Sequence, residues 1–585
     1  MPLPLKKTDP LQKKLTEINR AAEERDAQRR AKASGTEYIE LGKVPISLEA
    51  IKLIPAAEAR AAQAAAIELK APAVALAAYK PHDPAVQELI RKLADRHYQV
   101  KLYTVSLSSL AQAWYFYKFV PAEVHGITGR VEIEKKHFEE ILPKLNNIRA
   151  VKEEIKKAAA AQANTTSILE IILAGALANG ASDIHLEAEE KNVRIRFRLD
   201  GVLQDAFHEM SRRQYETILT RIKLLGKMKI NVRGEPQDGR FSINLPAKEI
   251  EVRVSIIPSE FGETVVMRIL DPDAIRVTLE ELGLRPDDFA LVQTEIAKPN
   301  GLILNTGPTG SGKTTTLYAF LRVLSNPEIK IITIEDPIEY HLGGVEQTQV
   351  DAEVGYTFAN GLRAILRQDP DAILVGEIRD HETADIAMQA SLTGHLVLST
   401  LHTNDAAGAI PRLIDLDIRP ATIGPALNLI IAQRLVRKLC PFCRQPVAVS
   451  AELRAHLDTF LAGLPRRVNR PNYTSAEIFE PGTCAKCNET GYKGRVGIFE
   501  FLMVDAEMES TILKDSSELA VQDLAEKQGM VSMQADGILK AMTGITTFAE
   551  VEKVTGPLLW AGHPEPGEGS SSVSRHPEPG EGSKD

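Results

Sequence analysis

Short apolar runs alternate with amphipathic stretches along positions 301–401. The apolar runs are GLILNT, KIITIE, AILVGE and HLVLST, and the stretches between them are KTTTLYAFLRVL, TFANGLRAILRQ and HETADIAMQASL. Such an apolar run predicts a strand buried on both faces, and an amphipathic stretch predicts a helix that covers a sheet. We therefore predict a mainly parallel sheet between helical layers, with ligands at the carboxyl ends of its strands.

Two smaller alternating regions precede this one. Between Tyr38 and Val120, the helical pattern of PAVQELIRKLADR alternates with the strand-like runs APAVALAAY and QVKLYTV, which predicts a small α/β module. From Thr165 to about Leu270, a helical pattern is followed by strand patterns in NVRIRFRLDG, GRFSINLP, IEVRVSIIP and ETVVMRIL. These strands predict a second α/β module.

Three segments lack such a pattern. Residues 1–36 are rich in charged residues and Ala and predict a helical or disordered arm, and residues 126–160 predict a charged linker. The sequence HPEPGEGS occurs at 563–570 and again at 576–583. A Pro/Gly/Ser repeat of this kind cannot bury a core, so a disordered tail without assigned function is predicted.

The composition narrows the class of protein. A chain of 585 residues is too long for a single core and predicts about three or four domains. Its net charge of −9 provides no general attraction for nucleic acid. No apolar run approaches the roughly 20 residues that span a bilayer, and no apolar segment follows the basic N-terminus. We expect a cytosolic protein that can dock on a membrane complex.

A glycine-rich segment connects the strand GLILNT to the following helix. Its residues are Gly307, Pro308, Thr309, Gly310, Ser311, Gly312, Lys313 and Thr314, followed by Thr315. The pattern G-x-x-x-x-G-K-[ST] between a strand and a helix is typical of a phosphate-binding loop. Its backbone N–H groups surround phosphate oxygens, Lys313 adds a charge, and the Thr314 hydroxyl binds Mg²⁺. ATP and Mg²⁺ are therefore the predicted ligands.

Carboxylates follow two of the predicted strands. Glu377, at the end of AILVGE, is the predicted group that orients water for hydrolysis. In many phosphate-loop ATPases an aspartate precedes this glutamate and holds the metal, but here Gly376 stands in that place. The run EDPIE, from Glu335 to Glu339, follows KIITIE, and its proline disfavours a helix. Glu339 or Asp336 is therefore predicted to serve the metal.

Two histidines flank the strand HLVLST. His395 is at its start, and His402 follows it beside Thr403 and Asn404. A single histidine is more often structural than catalytic. His402 is nevertheless a candidate γ-phosphate sensor, because it lies at the carboxyl end of a strand.

All four cysteines of the chain lie in two C-x₂-C pairs. These are Cys440 with Cys443 and Cys484 with Cys487. Two such pairs can close a tetrahedral Zn²⁺ thiolate site, although the 40 residues between them exceed the common spacing of about 15–20. The complete ligand set leaves no position for substrate, so the pattern predicts a structural zinc. Two thiol turns without metal are the alternative.

Four segments together resemble the nucleotide motifs of the secretion ATPase superfamily: GPTGSGKT, ITIEDPIE, LRQDPDAILVGEIRD and GHLVLSTLHTNDA. The segments ASDIHLE, PQDGR and GITTFAEV extend the resemblance to its type II secretion and type IV pilus assembly branch, from about Thr165 to Val554. The Gly-Glu strand ending is usual in that family. The resemblance implies a RecA-like P-loop ATPase domain, a smaller α/β (PAS-like) domain before it, an N-terminal α/β module and a zinc-binding insertion.

The resemblance also implies partners and further site residues. Members form hexameric rings that act on an inner-membrane platform protein, and through it on pilins or pseudopilins. Arg240 and Arg253, near Arg268, correspond to arginines that reach a γ-phosphate across a subunit boundary. The N-terminal module resembles the platform-binding segment. It has Leu41-Gly42 without the arginine of a cyclic-dinucleotide motif, so that ligand is not carried over.

The predicted organisation has eight segments. They are a charged, disordered arm (1–36), an N-terminal platform-binding module (37–125), a linker (126–160), a second α/β domain (161–272), the RecA-like ATPase core (273–439), the tetracysteine zinc element (440–487), a C-terminal helical part (488–560) and a disordered tail (561–585).

The predicted protein is a cytoplasmic ATPase at the inner face of the membrane, whose hexameric ring powers assembly of a type IV pilus or a type II secretion pseudopilus. A nucleic-acid translocase or helicase is disfavoured by a pI near 5.9 and an aromatic content of 5%. A scaffold that binds ATP without turnover is a further alternative. A retraction motor is another, but such motors generally lack the tetracysteine element and the extended N-terminal module.

Overall fold

The computed structural model describes residues 10–70, 72–96, 98–119, 130–131, 138, 140–160, 165–245, 248–475 and 477–559. The predicted tail and residues 1–9 lie outside the described residues. The chain forms two compact units that meet in sequence between Pro272 and Asp273, here called the N-terminal unit and the C-terminal unit. Within the described ranges, no helix has the length and apolar character needed to cross a membrane.

The N-terminal unit contains two sheets. Its strands are β1 (Glu37–Tyr38), β2 (Ala64–Lys70), β3 (Ala73–Ala78), β4 (Gln99–Thr104), β5 (Arg130–Val131), β6 (Asp183–Ala188), β7 (Val193–Leu199), β8 (Val202–Met210), β9 (Gln237–Asn244), β10 (Glu249–Ser259) and β11 (Gly262–Leu270). Its helices are α1 (Pro10–Ser34), α2 (Leu48–Lys52), α3 (Ala56–Ala61), α4 (Pro84–Asp95), α5 (Leu107–Tyr115), α6 (Ile148–Ala160), α7 (Thr165–Ala178) and α8 (Arg212–Leu225). The sheet orders are β1-β4-β3-β2 and β5-β9-β10-β11-β6-β7-β8.

The seven-stranded sheet of this unit has one apolar and one polar face. Along β7, buried apolar residues alternate with partly exposed arginines, as the period of two in VRIRFRL predicts. Helices α6, α7 and α8 contribute side chains to the core on the apolar face. Val151 and Ile155 of α6 are fully buried there. The prediction of a linker over 126–160 is therefore wrong for residues 148–160, which belong to this domain.

Of the two alternatives predicted for the charged arm, helix or disorder, the helix is confirmed for residues 10–34. Its residues Pro10–Ser34 form helix α1, and Glu24 of that helix is buried. The Glu24 carboxylate accepts hydrogen bonds from the hydroxyls of Tyr38, Ser106 and Ser109, at 2.7, 2.6 and 2.8 Å. A buried carboxylate is tolerated only when it is hydrogen-bonded, so these donors fix the helix on the small module.

The C-terminal unit is built on one large sheet. Its strands are β12 (Gly301–Thr306), β13 (Ile331–Glu335), β14 (Glu346–Gln349), β15 (Ala372–Val375), β16 (Leu396–Leu401), β17 (Leu427–Leu439), β18 (Gln445–Pro446), β19 (Phe479–Glu480) and β20 (Tyr492–Met503). Its helices are α9 (Pro286–Ile296), α10 (Lys313–Leu324), α11 (Phe358–Leu366), α12 (His381–Leu392), α13 (Ala409–Asp415), α14 (Pro420–Ala426), α15 (Ala451–Gly463), α16 (Ala506–Lys514), α17 (Glu518–Lys527), α18 (Met533–Met542) and α19 (Phe548–Thr555).

The large sheet has the order β14-β13-β15-β16-β12-β17-β20, parallel except for its last pair. Two apolar cores cover its faces, and β12, β13, β15 and β16 are buried along their whole length. The four strands and three helices predicted for residues 301–401 are confirmed, as is the α/β fold class. Because β15, β16 and β12 are parallel neighbours in this order, their carboxyl ends come together at one edge of the sheet.

Residues 492–503 differ from their prediction. The sequence predicts that they belong to a C-terminal helical part (488–560). In the structure they form β20, which pairs antiparallel with β17. The run YKGRVGIFEFLM has no clear period of its own. Its conformation is set by pairing with a strand more than 50 residues earlier in the chain. The β17–β20 pair therefore builds the C-terminal region into the central sheet.

Candidate nucleotide site and cysteine cluster

The predicted phosphate-binding loop connects the end of β12, at Thr306, to the start of α10, at Lys313. Gly310 and Gly312 have φ values of 81° and 91°, in the left-handed region that favours glycine. A Cβ atom at Gly312 would also lie 2.9 Å from Nε2 of Gln433. The shape of the loop therefore depends on glycine for both conformation and space.

The loop has the properties of a phosphate site. Thr309, Gly310 and Thr314 are exposed, and a Cβ atom at Gly310 would meet no atom within 4 Å. The buried hydroxyl of Ser311 has no hydrogen-bond partner in the described part of the chain. The first turn of a helix also presents N–H groups without intrahelical partners. An open loop with such donors fits phosphate oxygens.

Lys313 supplies the positive charge of this loop. Its Nζ donates hydrogen bonds to the carbonyl oxygens of Gly307, at 2.6 Å, and Pro308, at 3.2 Å. Burial lowers the pKa of Lys313 to about 8, against the opposing effect of the Glu377 carboxylate. The ammonium group is therefore held within the loop and titrates near physiological pH.

Glu377 lies just beyond β15, between two basic side chains. Its Oε1 is 2.6 Å from Nη2 of Arg379, and its Oε2 is 3.5 Å from Nε2 of His402. The Glu377 side chain is 14% exposed, so the carboxylate is oriented by neighbours more than by water. Burial, and next the charge of Lys313, lower the pKa of His402. The structure thus brings together Glu377, His402 and Lys313, which were predicted from three separate motifs.

Arg379 was not identified from the sequence. It is two residues after Glu377, and in extended backbone such residues point to the same side. That spacing is the signal that could have indicated the ion pair.

Gly376 lies where the end of β15 approaches β13. Its N–H donates to the carbonyl oxygen of Ile334 at 2.8 Å, and its own carbonyl accepts from the Thr400 hydroxyl at 2.8 Å. A Cβ atom at Gly376 would lie 3.3 Å from the Ile334 oxygen and 3.4 Å from Cα of Glu335. An aspartate at this position would therefore crowd β13, which gives a packing reason for the glycine.

The three carboxylates at the end of β13 and just after it lie in different environments. Glu335 is buried and accepts hydrogen bonds from the Tyr318 hydroxyl, at 2.5 Å, the Gln347 amide, at 3.1 Å, and a further hydroxyl, at 2.7 Å. These protein donors occupy its oxygens. Asp336 is exposed and Glu339 is half-exposed, so they are the accessible carboxylates of EDPIE.

His395 lies at the amino end of β16, on the opposite edge of the sheet from His402. Its Nδ1 is 3.1 Å from the carbonyl oxygen of Ala390, near the end of α12. The contact fixes a turn between a helix and a strand, so His395 is structural.

Gln433 and Arg434 were also missed. Gln433 is buried in β17 and accepts hydrogen bonds from the Asn305 amide, at 2.9 Å, and the Thr316 hydroxyl, at 2.8 Å. These two partners lie immediately before and after the phosphate loop, so Gln433 joins both ends of the loop to β17. The signal was the polar pair QR inside the otherwise apolar run LIIAQRLV of this strand.

Arg240 and Arg253 belong to the N-terminal unit. They lie directly opposite each other on β9 and β10, and Arg268 of β11 lies opposite Arg253. We call these three residues the arginine row. Arg253 contacts Glu251 at 3.3 Å and Arg268 contacts Asp183 at 3.0 Å, whereas the side chain of Arg240 makes no hydrogen bond or ion pair within the described ranges. Like charges opposite each other destabilise a sheet, so the arginine row suits an anion.

The four cysteines converge at one end of the β17–β20 pair. Their sulfur atoms all lie within 4.8 Å of one another. The distances are 3.8 Å for Cys440–Cys484, 3.7 Å for Cys443–Cys487 and 3.6 Å for Cys484–Cys487. Zn–S bonds of about 2.3 Å in a tetrahedron place sulfurs about 3.8 Å apart. The cluster therefore fits Zn²⁺, and the long spacing in sequence is spanned by α15.

The parallel sheet, the glycine loop at a helix start, the buried lysine and the strand-end glutamate define a P-loop nucleoside triphosphatase. The sequence profile of the family described as Type II/IV secretion system protein matches residues 158–553. The chain belongs to this family, among the secretion and pilus ATPases, which confirms the resemblance seen in its motifs.

Two relatives and one solved structure illustrate what the chain is similar to. Over 389 residues the chain is 47% identical to Type II secretion system protein E of Dickeya dadantii, covering 66% of this chain and 75% of the relative. Over 531 residues it is 36% identical to Type IV pilus assembly ATPase PilB of Myxococcus xanthus, covering 90% of each. The solved structure of the Legionella pneumophila ATPase DotB aligns with a TM-score of 0.49 at 22% identity, over 66% of this chain and 95% of that one.

Proposed function

We propose that this protein is a hexameric ring motor that couples ATP hydrolysis to assembly of a pilus or of a secretion pseudopilus. The observation that carries the proposal is the Glu377 carboxylate, held between Arg379 and His402 and close enough to Lys313 to affect its pKa. The process is supported by the similarity to a type II secretion protein and to a pilus assembly ATPase.

The nucleotide binds in the glycine loop, from Gly307 to Thr315. Lys313 exchanges its contacts with two loop carbonyls for contacts with the β- and γ-phosphates, because both are acceptors for the same ammonium group. The Thr314 hydroxyl and the Glu339 carboxylate would hold Mg²⁺, and their oxygen atoms are the ligands that this cation prefers. When bound, Mg²⁺ neutralises charge on the phosphate oxygens.

Glu377 orients the attacking water and accepts its proton. A carboxylate held by two basic groups has a defined direction, which lowers the entropic cost of placing the water in line with the γ-phosphate. His402 contacts the same carboxylate from the end of β16. It is therefore placed to respond when the γ-phosphate leaves.

The arginine row acts in a neighbouring subunit. Arg240 and Arg253 neutralise charge that develops on the γ-phosphate of the adjacent protomer, which requires a ring. The cysteine cluster holds a structural Zn²⁺. The N-terminal module, including α1, binds the cytoplasmic part of a membrane platform protein, which places the ring at the inner face of the membrane. Pilins or pseudopilins are moved indirectly, and no nucleic acid takes part.

Replacement of Glu377 by glutamine tests the assignment. We expect Glu377→Gln to lower kcat for ATP about 100-fold or more, since general-base contributions are of this size. ATP affinity should stay within about threefold, because phosphate binding depends on the loop. The control is Glu328→Gln, an exposed acid in the connection from α10 to β13. If the unchanged chain bound ATP without hydrolysing it, the protein would be an ATP-binding scaffold. Unchanged hydrolysis in Glu377→Gln would exclude Glu377 as the group that orients water.

A second measurement tests which process is powered by ATP hydrolysis. ATPase activity is compared with and without a platform protein's cytoplasmic domain, and separately with single-stranded DNA. We expect stimulation by the platform domain only. Stimulation by DNA alone would show a nucleic-acid translocase.

A further inference from the structure

Arg434 lies where three parts of the nucleotide site meet. It follows Gln433 on β17 and is half-buried. Its Nη2 donates a hydrogen bond to the carbonyl oxygen of Asn404 at 2.9 Å. A Cβ atom at Gly307 would lie only 3.1 Å from its Nη1. The guanidinium group therefore packs against the first glycine of the phosphate loop while it holds the turn that follows β16.

That turn carries His402. The next residue, Thr403, donates its N–H to the Thr306 hydroxyl at 2.8 Å, and the two hydroxyls are 2.7 Å apart. The turn is thus attached to the end of β12 through Thr403 and to β17 through Arg434 and Asn404. Because His402 contacts Glu377, the position of that pair depends on how the turn is held.

We propose that Arg434 is a positioning residue for hydrolysis, which fixes the turn at Asn404 against the phosphate loop and thereby places His402 beside Glu377. The inference rests on the proposed ATPase function and assigns a part of its mechanism. The planar guanidinium is suited to this task, because it can donate to separate acceptors in a fixed geometry. Its second contact, from Nη1 to the Gln433 carbonyl oxygen at 3.2 Å, holds that plane against β17.

Two roles compete with this one. Arg434 could contact a phosphate directly, in which case its loss would weaken ATP binding. It could instead stabilise the fold alone, in which case its loss would lower Tm without a selective effect on kcat. The measurements below separate these roles from positioning.

Arg434→Gln and Arg434→Lys are compared with the unchanged chain in kcat, ATP affinity and Tm. We expect Arg434→Gln to lower kcat about 100-fold, as a displacement of about 1 Å does in catalytic sites. ATP affinity should change by less than about threefold. Arg434→Lys should remain impaired, because an ammonium group lacks the planar fork. The control is Arg454→Gln, an exposed arginine of α15.

Combination with His402→Ala tests whether Arg434 acts through the histidine. If it does, the double variant should be no slower than the slower single variant, because residues that act as a unit are not additive. Multiplied effects, a loss of ATP affinity in Arg434→Gln, or full activity in Arg434→Lys would each overturn the proposal. If the unchanged chain hydrolyses no ATP, the proposed function itself fails, which is a different result.

Discussion

The nucleotide site and the arginine row use charge in opposite ways. At the nucleotide site, Glu377 contacts Arg379 and His402 within the same unit. In the arginine row, three cations lie opposite one another on neighbouring strands, and Arg240 has no anionic partner among the described residues. In the first arrangement the catalytic carboxylate is held by basic partners, whereas in the second Arg253 and Arg268 have acidic neighbours and Arg240 alone is left to bind an anion.

The largest effect on hydrolysis is expected when a side chain of the arginine row is replaced. We expect Arg240→Gln to lower kcat about 1000-fold or more, as the loss of a donated arginine does in other nucleotide hydrolases. ATP affinity of the glycine loop should be retained, because Arg240 is not part of it. Arg213→Gln, an exposed arginine of α8, is the control.

Mixing inactive variants shows whether Arg240 acts across a subunit boundary. Arg240→Gln subunits keep Glu377, and Glu377→Gln subunits keep Arg240, so a mixed ring contains some complete sites. We expect ATPase activity to return on mixing. Absence of any recovery would argue that Arg240 acts within its own chain or not at all.

The cysteine cluster resembles the arginine row, because four thiolates this close together would also need a compensating charge from outside. We expect one zinc per chain by elemental analysis. Removal of the metal, or Cys443→Ser, should lower Tm by roughly 5–10 °C, since the cluster ties together the ends of β17 and β20. An unchanged Tm in a zinc-free sample would contradict a structural role.

The smallest expected effect is on the pH dependence of ATP affinity at the nucleotide site. The pKa of Lys313 is about 8 before binding, and nearby phosphates raise it, because they favour the charged form. ATP affinity should therefore be full below pH 8 and fall by up to about tenfold for each pH unit above it. Lys313→Arg is the control, because its guanidinium stays charged. Equal pH dependence in both chains would show that another group titrates.

Local patterns predicted the central βα units and the phosphate loop. The loop depends on glycines and a lysine within eight consecutive residues, and its strand and helix are contiguous with it. The same motifs indicated Glu377 and His402 as candidates. Residues whose partners are distant were missed: Gln433 is 128 positions from Asn305, and the Glu24 carboxylate is held by hydroxyls up to 85 positions away.

Two predicted boundaries failed for the same reason. The segment 148–160 is charged enough to resemble a linker, but two of its apolar residues, Val151 and Ile155, complete a core formed mainly by later strands. Likewise, residues 492–503 become a strand because β17 offers a free edge to pair with.

The sequence by itself determined the class of this protein, its phosphate loop, its cysteine pairs and the family to which it belongs. These features are carried by short runs whose chemistry needs residues at fixed local spacing. Only the tertiary structure decided which carboxylate of EDPIE is buried, how little space surrounds Gly376, and how Arg434 reaches the turn after β16. Each of these depends on the distance between strands that are adjacent in the sheet but far apart in the chain.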